Sequence, residues 1–289
     1  MERQKSIVVT GAGQGIGRAL AEEAHHLGFR VYATDASTQG MEDLKKLGVT
    51  VQALDITHSA QIDTLLKTLE ADNEGPDYWV NNAGYGAMGP LLDLSGESLE
   101  QQFEVNVFAQ MRLIRAISPR MIEHGEGCIA NMGSIAPEFP TPFSGAYAAS
   151  KAALITLSDT LRMELAPFGI DVVTIRPGRI RSSFGHTAQR IAQSNLSAPS
   201  MYSAIRDAID QRANASQQSA TAADVMARHV LRQLIKVRRP TDIYVGKDSR
   251  RLPWLRRLLP TRLLEWGLKR VFRLHTLSKH QRKRVPHET

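Results

Sequence analysis

The sequence predicts an α/β fold, a doubly wound parallel sheet with helices on both faces, and three observations carry that reading. Short apolar or β-branched runs recur at residues 6–10, 29–34, 49–54, 78–80, 127–132 and 170–175, with helix-length segments between them. The first run feeds a glycine-rich turn, Gly11-Ala12-Gly13-Gln14-Gly15-Ile16-Gly17, and then a helical pattern that reaches about Leu27. The 289 residues and 42% hydrophobic content suit one large domain. Strands and helices alternating at this spacing place a ligand across the carboxyl edge of the sheet.

The glycine turn is the first candidate site. Glycines let the backbone approach a diphosphate, and the free N–H groups and dipole of the following helix stabilise the anion. The spacing is T-G-x-x-x-G-x-G, with Ile16 where G-x-G-x-x-G would have its third glycine. The second strand ends at Asp35, eighteen residues beyond Gly17. An acid there can accept hydrogen bonds from both adenosine ribose hydroxyls and repels a 2′-phosphate. No Arg or Lys follows closely, which favours NAD over NADP; an aspartate that merely ends a strand is the alternative.

The third strand leads into Asp55-Ile56-Thr57, and a helix is predicted from about Ala60 to Ala71. The fourth strand ends in Asn81-Asn82-Ala83-Gly84, and a long helical stretch from Glu97 to about Glu123 carries Asn106 among apolar neighbours. Strand five delivers Ser134, and a helix from Tyr147 to Pro167 holds Tyr147 and Lys151 one turn apart on one face. A cation beside a phenol favours the phenolate and lowers its pKa from about 10, which makes a general acid/base usable near neutral pH. The sixth strand ends at Arg176-Pro177-Gly178. Residues 182–220 are Ser-, Gln-, Asn- and Ala-rich and stand where a substrate lid would lie. A helix over 221–237 and a last strand over 242–245 complete the predicted domain, residues 1–247.

Charge divides the chain unevenly. Residues 248–289 hold twelve Lys/Arg and three Asp/Glu, a tail of +9 on a body of −2. Within residues 248–277, Pro253 and Pro260 punctuate two helical pieces, and Leu264, Leu268, Val271 and Phe272 share a face of the second. Basic residues beside Trp and Leu suit an anionic membrane surface; packing on the body or on a second subunit is the equal alternative, and nucleic-acid attachment is not expected. Residues 278–289 are predicted to be disordered. The single cysteine, Cys128, excludes an internal disulfide and reads as a buried strand thiol. The first strand begins too near the N-terminus to leave room for a signal peptide, and no apolar run reaches about 18 residues, so a cytoplasmic protein, membrane-associated if the tail docks, is expected. No metal site is expected.

Thr10-Gly11-x-x-x-Gly15-Ile16-Gly17, Asn81-Asn82-Ala83-Gly84, Asn106, Ser134, Tyr147-x-x-x-Lys151 and Pro177-Gly178 together resemble the short-chain dehydrogenase/reductase family in order and spacing, over roughly residues 5–245. The resemblance implies a single-domain Rossmann fold and an oxidoreductase that interconverts an alcohol and a carbonyl with NAD, or alternatively NADP. It implies Tyr147 as the proton donor or acceptor and Lys151 as the group that lowers its pKa and holds the nicotinamide ribose. Ser134 would polarise the substrate carbonyl, and Asn106 would hold a water in a proton relay. Gly11, Gln14, Gly15, Ile16, Gly17, Asp35, Asp55, Ile56, Asn82, Ala83, Gly84, Pro177, Gly178, Ile180 and Ser182 would line the cofactor cleft. Homodimers or homotetramers are the implied assemblies.

The segments Thr141-Pro142-Phe143-Ser144-Gly145-Ala146-Tyr147 and Leu161-Arg162-Met163-Glu164-Leu165-Ala166-Pro167-Phe168-Gly169-Ile170 look like the subgroup of 1-acyl-dihydroxyacetone-phosphate reductases and related lipid, steroid and retinoid enzymes. That likeness implies a hydrophobic substrate. Two positions depart from it: Ala36 stands where the reductases often carry an arginine, and Gly133 where many relatives have a serine. A catalytically silent nucleotide sensor on the same fold is the rival reading. Arg179 and Arg181, flanking Ile180, are candidates for meeting an anionic head group.

Overall fold

The computed structural model describes residues 3–71, 75–182, 184–185, 188–190 and 200–277. Seven strands form one sheet: β1 (Ser6–Thr10), β2 (Arg30–Asp35), β3 (Thr50–Ala53), β4 (Tyr78–Asn81), β5 (Gly127–Met132), β6 (Ile170–Pro177) and β7 (Asp242–Val245). Their order is β3-β2-β1-β4-β5-β6-β7, and every pairing is parallel. The order reverses between β1 and β4, which opens a crevice above the carboxyl ends of those two strands. This is the single doubly wound α/β domain that the sequence predicts.

Central strands of such a sheet are covered on both faces, so they read as unbroken apolar runs. Ile7, Val8 and Val9 of β1 are wholly buried, and their alternation divides two cores. On one face Ile7, Val9, Val80, Ala130 and Val173 meet α1 (Gly15–His26) and α8 (Ala223–Leu234). On the other Val8, Trp79, Ile129 and Val172 meet α3 (Ser59–Ala71) and α5 (Ala109–His124). Cys128 is buried in the first core, and burial pushes its thiol up to about 12, as an inert strand thiol requires.

Local chemistry moves several predicted boundaries. The stretch expected as one helix from Glu97 is α4 (Gly96–Phe103), a π turn at Glu104–Phe108 and then α5. Ser95 caps α4 by accepting from the Ser98 N–H at 3.1 Å, and Gly125 ends α5 in the left-handed conformation, φ 69°. The helix with the tyrosine, α6 (Gly145–Leu165), starts two residues earlier than expected, which sets Tyr147 in its first turn. A short helix, α2 (Glu42–Lys46), was not foreseen; five residues give too few positions for a periodic signal.

A third apolar cluster sits above the carboxyl edge. Met88, Phe143, Ile205, Ala208, Ile209, Ala213 and Phe272 join α7 (Arg206–Ala213) to the C-terminal helices. Those helices are α9 (Arg251–Leu258) and α10 (Thr261–Val271). Pro253 does not separate them: it lies in the first turn of α9, where its missing N–H has no partner to lose, and only Pro260 marks the break. Of the face expected on the second piece, Leu264 and Phe272 are buried, whereas Val271 stays 63% exposed. Residues 278–289, expected to be disordered, and 183, 186–187 and 191–199 of the expected substrate loop lie outside the described residues. Among the described residues no helix is long and apolar enough to cross a membrane.

Candidate active site

The crevice is a cavity of about 870 Å³, and the glycine turn forms its floor. Gly11 and Gly15 adopt φ of 65° and 59°, which glycine takes without strain. Gly17 serves packing instead of lining the cavity. A Cβ there would lie 2.1 Å from the Gly11 carbonyl oxygen, so only glycine lets α1 start this close to the turn. Gln14, the residue before α1, makes no side-chain cap, which leaves the first helical N–H groups free for an anion. Asp35 lines the cavity and accepts from the Gly13 N–H through Oδ2 at 2.9 Å, so it also pins the turn.

The turn is tied to β4 from the other side. Thr10 Oγ1 accepts from the backbone N–H groups of Asn82 and Ala83 at 3.0 and 3.1 Å. The Asn82 amide donates to the carbonyls of Thr10 and Gly11 at 2.9 and 3.0 Å. Asp55, Ile56, Ala83, Gly84, Pro177, Gly178, Ile180 and Ser182 line the same cavity with Gln14, Gly15, Ile16 and Asn82. These are the residues proposed from the sequence for the cofactor, Gly17 excepted. Their free N–H groups, cleared glycine floor and carboxylate wall fit a dinucleotide.

Ser134, Tyr147 and Lys151 meet in this cavity. Burial pushes the Tyr147 phenol above its usual value, while a hydrogen bond with Ser134 and the charge of Arg212 pull it down. Lys151 is not among the groups that lower it. Its ammonium donates to the Met132 carbonyl oxygen at 2.7 Å. Gly133 has its own reason: a Cβ there would lie 2.9 Å from the Ile175 carbonyl oxygen of β6.

Asn106 lies near Lys151: a Cβ on Gly84 would be 3.0 Å from Asn106 Oδ1 and 3.5 Å from Lys151 Nζ. Asn106 is fully buried in the π turn and does not line the cavity. Its Oδ1 accepts from the Tyr85 N–H at 3.2 Å, and its Nδ2 donates to the Tyr85 carbonyl at 2.9 Å and to Ser150 Oγ at 3.1 Å. The side-chain amide is thus engaged with protein groups. Gln102 and Gln110, one turn away on either side, do the same for Ala87, Tyr85 and Ala83. Their i, i+4 spacing was the available signal for this clamp.

A second set of wall residues escaped the sequence reading. Phe184, Arg212, Leu252, Leu268, Val271 and Phe272 line the same cavity, so both C-terminal helices contribute to the site. Arg179 lines it too but pairs with Asp248 at 3.2 Å, and Arg181 is exposed and does not line it.

Comparison with known proteins agrees with this geometry. Residues 5–193 match the family model described as short chain dehydrogenase. The chain belongs to the short-chain dehydrogenase/reductase family. It is therefore an oxidoreductase that acts on CH–OH groups with a nicotinamide cofactor, NAD or NADP. A short-chain dehydrogenase of Penicillium ochrochloron, ptmH, is 37% identical over 90% of this chain and 94% of that protein. An NADPH-dependent 1-acyldihydroxyacetone phosphate reductase of Schizosaccharomyces pombe is 36% identical over 63% of this chain and 62% of that protein. A short chain dehydrogenase/reductase of Burkholderia phymatum, solved in complex with NAD, superimposes with a TM-score of 0.74 at 26% identity, covering 88% of this chain and 92% of that one.

Lys151 gives this site a pH signature. Burial lowers its ammonium from 10.5 to about 8. Between those values the unfolded chain keeps the proton and the folded protein has released it, so stability rises with pH across that window. Below about pH 8 both states are protonated and the whole cost of burying the charge is present. Cofactor-free Lys151→Met is therefore expected to exceed wild type in stability at neutral pH by ~1–3 kcal/mol, with the margin shrinking toward pH 10.5. Urea unfolding of both proteins across that pH range checks this; a constant margin counts against a charged amine being buried there.

Proposed function

We propose that this enzyme interconverts a secondary alcohol and a ketone on a hydrophobic or lipid-like substrate, with NAD(H) preferred and Tyr147 as general acid/base. The observation that carries this reading is the meeting of Tyr147 and Ser134 in a cavity whose outer wall is apolar, through Met88, Phe139, Phe184, Leu268 and Phe272. In reduction the Tyr147 phenol gives its proton to the substrate oxygen, and in oxidation the same oxygen takes it back. Ser134 Oγ donates to the same substrate oxygen and stabilises the charge that develops on it. Lys151, still mostly protonated at neutral pH, holds the nicotinamide ribose. Asn106 and Ser150 keep the start of α6 in place, since Ser150 Oγ donates to the Tyr147 carbonyl at 2.8 Å. When bound, the nicotinamide supplies or accepts the hydride; orientation and proton handling belong to the chain.

Tyr147→Phe should lose at least about a hundredfold in turnover of secondary alcohols while NADH binding, followed by its fluorescence, stays within twofold. Equal turnover by the variant would remove Tyr147 from the acid/base role, and absent turnover by wild type with cofactor still bound would favour a nucleotide sensor.

The preference for NAD(H) rests on Asp35, which lines the cavity where β2 ends, with the uncharged Ala36 beside it. Asp35→Ala combined with Ala36→Arg is expected to shift the kcat/KM ratio toward NADP by about tenfold or more. A wild-type enzyme that already prefers NADP in the same assay would show that Asp35 serves only the Gly13 turn.

We treat residues 1–247 as the catalytic domain and 248–277 as a basic helical extension that both closes the cavity and attaches to an anionic membrane surface. The outer side of the extension supports this reading. Trp254, Leu258, Leu263 and Trp266 are 51–71% exposed among arginines, and Arg270 stacks on Trp266 at 4.3 Å. The full-length protein should float with phosphatidylserine-containing vesicles and not with neutral ones, and Trp254→Ser with Trp266→Ser should weaken flotation severalfold. Equal recovery with both vesicle types would end the membrane reading.

A further inference from the structure

Among the described residues Arg212 is a half-buried cation of the cavity that the glycine turn does not use and that no carboxylate offsets. It sits in the last turn of α7 and lines the cavity beside Phe184 and Ala213. Its Nε donates to Thr141 Oγ1 at 2.6 Å. That threonine is itself held by Ser144: the two hydroxyls lie 3.0 Å apart, and Ser144 Oγ donates to the Thr141 carbonyl at 3.0 Å. The guanidinium is therefore aimed by a hydroxyl, which carries no charge to neutralise it.

Other arginines of the domain are treated differently. Arg176 pairs with Glu138 and Asp242, Arg179 with Asp248, and Arg239 with Asp171. Among the described residues no carboxylate pairs with Arg212, and no acceptor is bonded to its two terminal nitrogens. Asp210, two residues earlier, leaves a buried Oδ1 without a partner and does not turn to it. A desolvated cation without a counter-ion is costly to a fold unless a ligand supplies one. Burial draws the group down to about 10, which leaves it charged at neutral pH. Tyr147 and Thr141, the residue that holds Arg212, line the same cavity. Asp35 closes β2, whereas Arg212 bonds Thr141 in the segment between β5 and α6 that leads to Tyr147.

We infer that Arg212 recognises an oxyanion on the substrate, a carboxylate or a phosphate monoester, whose apolar chain lies against Phe184, Leu268 and Phe272. The planar fork of a guanidinium suits either group by paired N–H donors, and Thr141 presets its orientation. The cavity then selects an amphiphilic acid over a neutral alcohol of the same length. This rests on the proposed oxidoreductase reading, and it names the class of substrate that reading left open.

Binding to the full-length protein saturated with NADH, measured by calorimetry, tests the inference without requiring turnover. The probes are decanoate, decyl phosphate and the neutral methyl decanoate. Wild type should bind at least one anion about tenfold or more tightly than the ester, and which anion leads distinguishes a carboxylic acid from a phosphate monoester as the natural head group. Arg212→Gln should erase the preference while leaving the ester within twofold; Arg212→Lys should keep part of it, and serves alone if the glutamine variant does not fold. Equal binding of all three probes by wild type, or a preference that survives both substitutions, overturns the inference. Anion-selective binding by a protein that oxidises no alcohol would retire the redox reading and leave this subsite standing.

Discussion

A buried chain of side-chain hydrogen bonds carries the placement of everything above the sheet. Trp79 Nε1 donates to Asn81 Oδ1 at 2.7 Å, Asn81 Nδ2 to Asn131 Oδ1 at 2.8 Å, and Asn131 Nδ2 to Ser158 Oγ at 2.8 Å. Ser158 closes the chain on the Leu154 carbonyl at 2.7 Å. Each of these groups is almost inaccessible to water, so each missing partner would cost about 1–3 kcal/mol. Sliding α6 along the sheet by even one residue would break the chain. Hydrophobic packing alone tolerates such a slip far better, because apolar contact has no direction. The relay thus turns a greasy helix–sheet interface into one with a single register, and that register brings Tyr147 and Lys151 above the strand that delivers Ser134.

The same logic operates at the next layer out. Loop 83–87 leaves the end of β4 and must stay irregular to admit a ligand, so its backbone groups cannot be satisfied by a ladder. Three amides on one helical stripe, Gln102, Asn106 and Gln110, take that place. The π turn between α4 and α5 is part of this fit, in keeping with the frequent occurrence of such turns at functional sites. Asn106 ties Tyr85 to Ser150, which in turn bonds the helix start that presents Tyr147.

What the sequence made legible follows from range. The glycine turn, the strand ends at Asp35 and Asn81-Asn82, and the Tyr147–Lys151 pair are local patterns whose geometry is set within one or two turns of chain. Gly17 was legible as a motif member, yet its packing role needs the Gly11 carbonyl and Asn82 in view. Arg212 was invisible because nothing in its neighbourhood along the chain marks it; its meaning comes from Thr141 and Tyr147, brought near by the fold. The C-terminal helices were legible as amphipathic and basic. Periodicity could not say that Leu252, Leu268 and Phe272 face a cavity instead of a membrane or a subunit, since all three surroundings ask for the same apolar stripe.

Phe143 gives the tail a further significance. Its backbone sits at φ 67°, a region that costs a bulky residue about 1–3 kcal/mol, and it lies four positions before Tyr147. Its ring is held edge-on by Tyr202 at 6.2 Å and by Phe272 at 6.0 Å. The strained bend that launches α6 is therefore braced by Tyr202 and by Phe272, the residue that follows α10. One ring, Phe272, thus couples the bend before Tyr147 to the wall of the cavity, so a change in either is felt by the other.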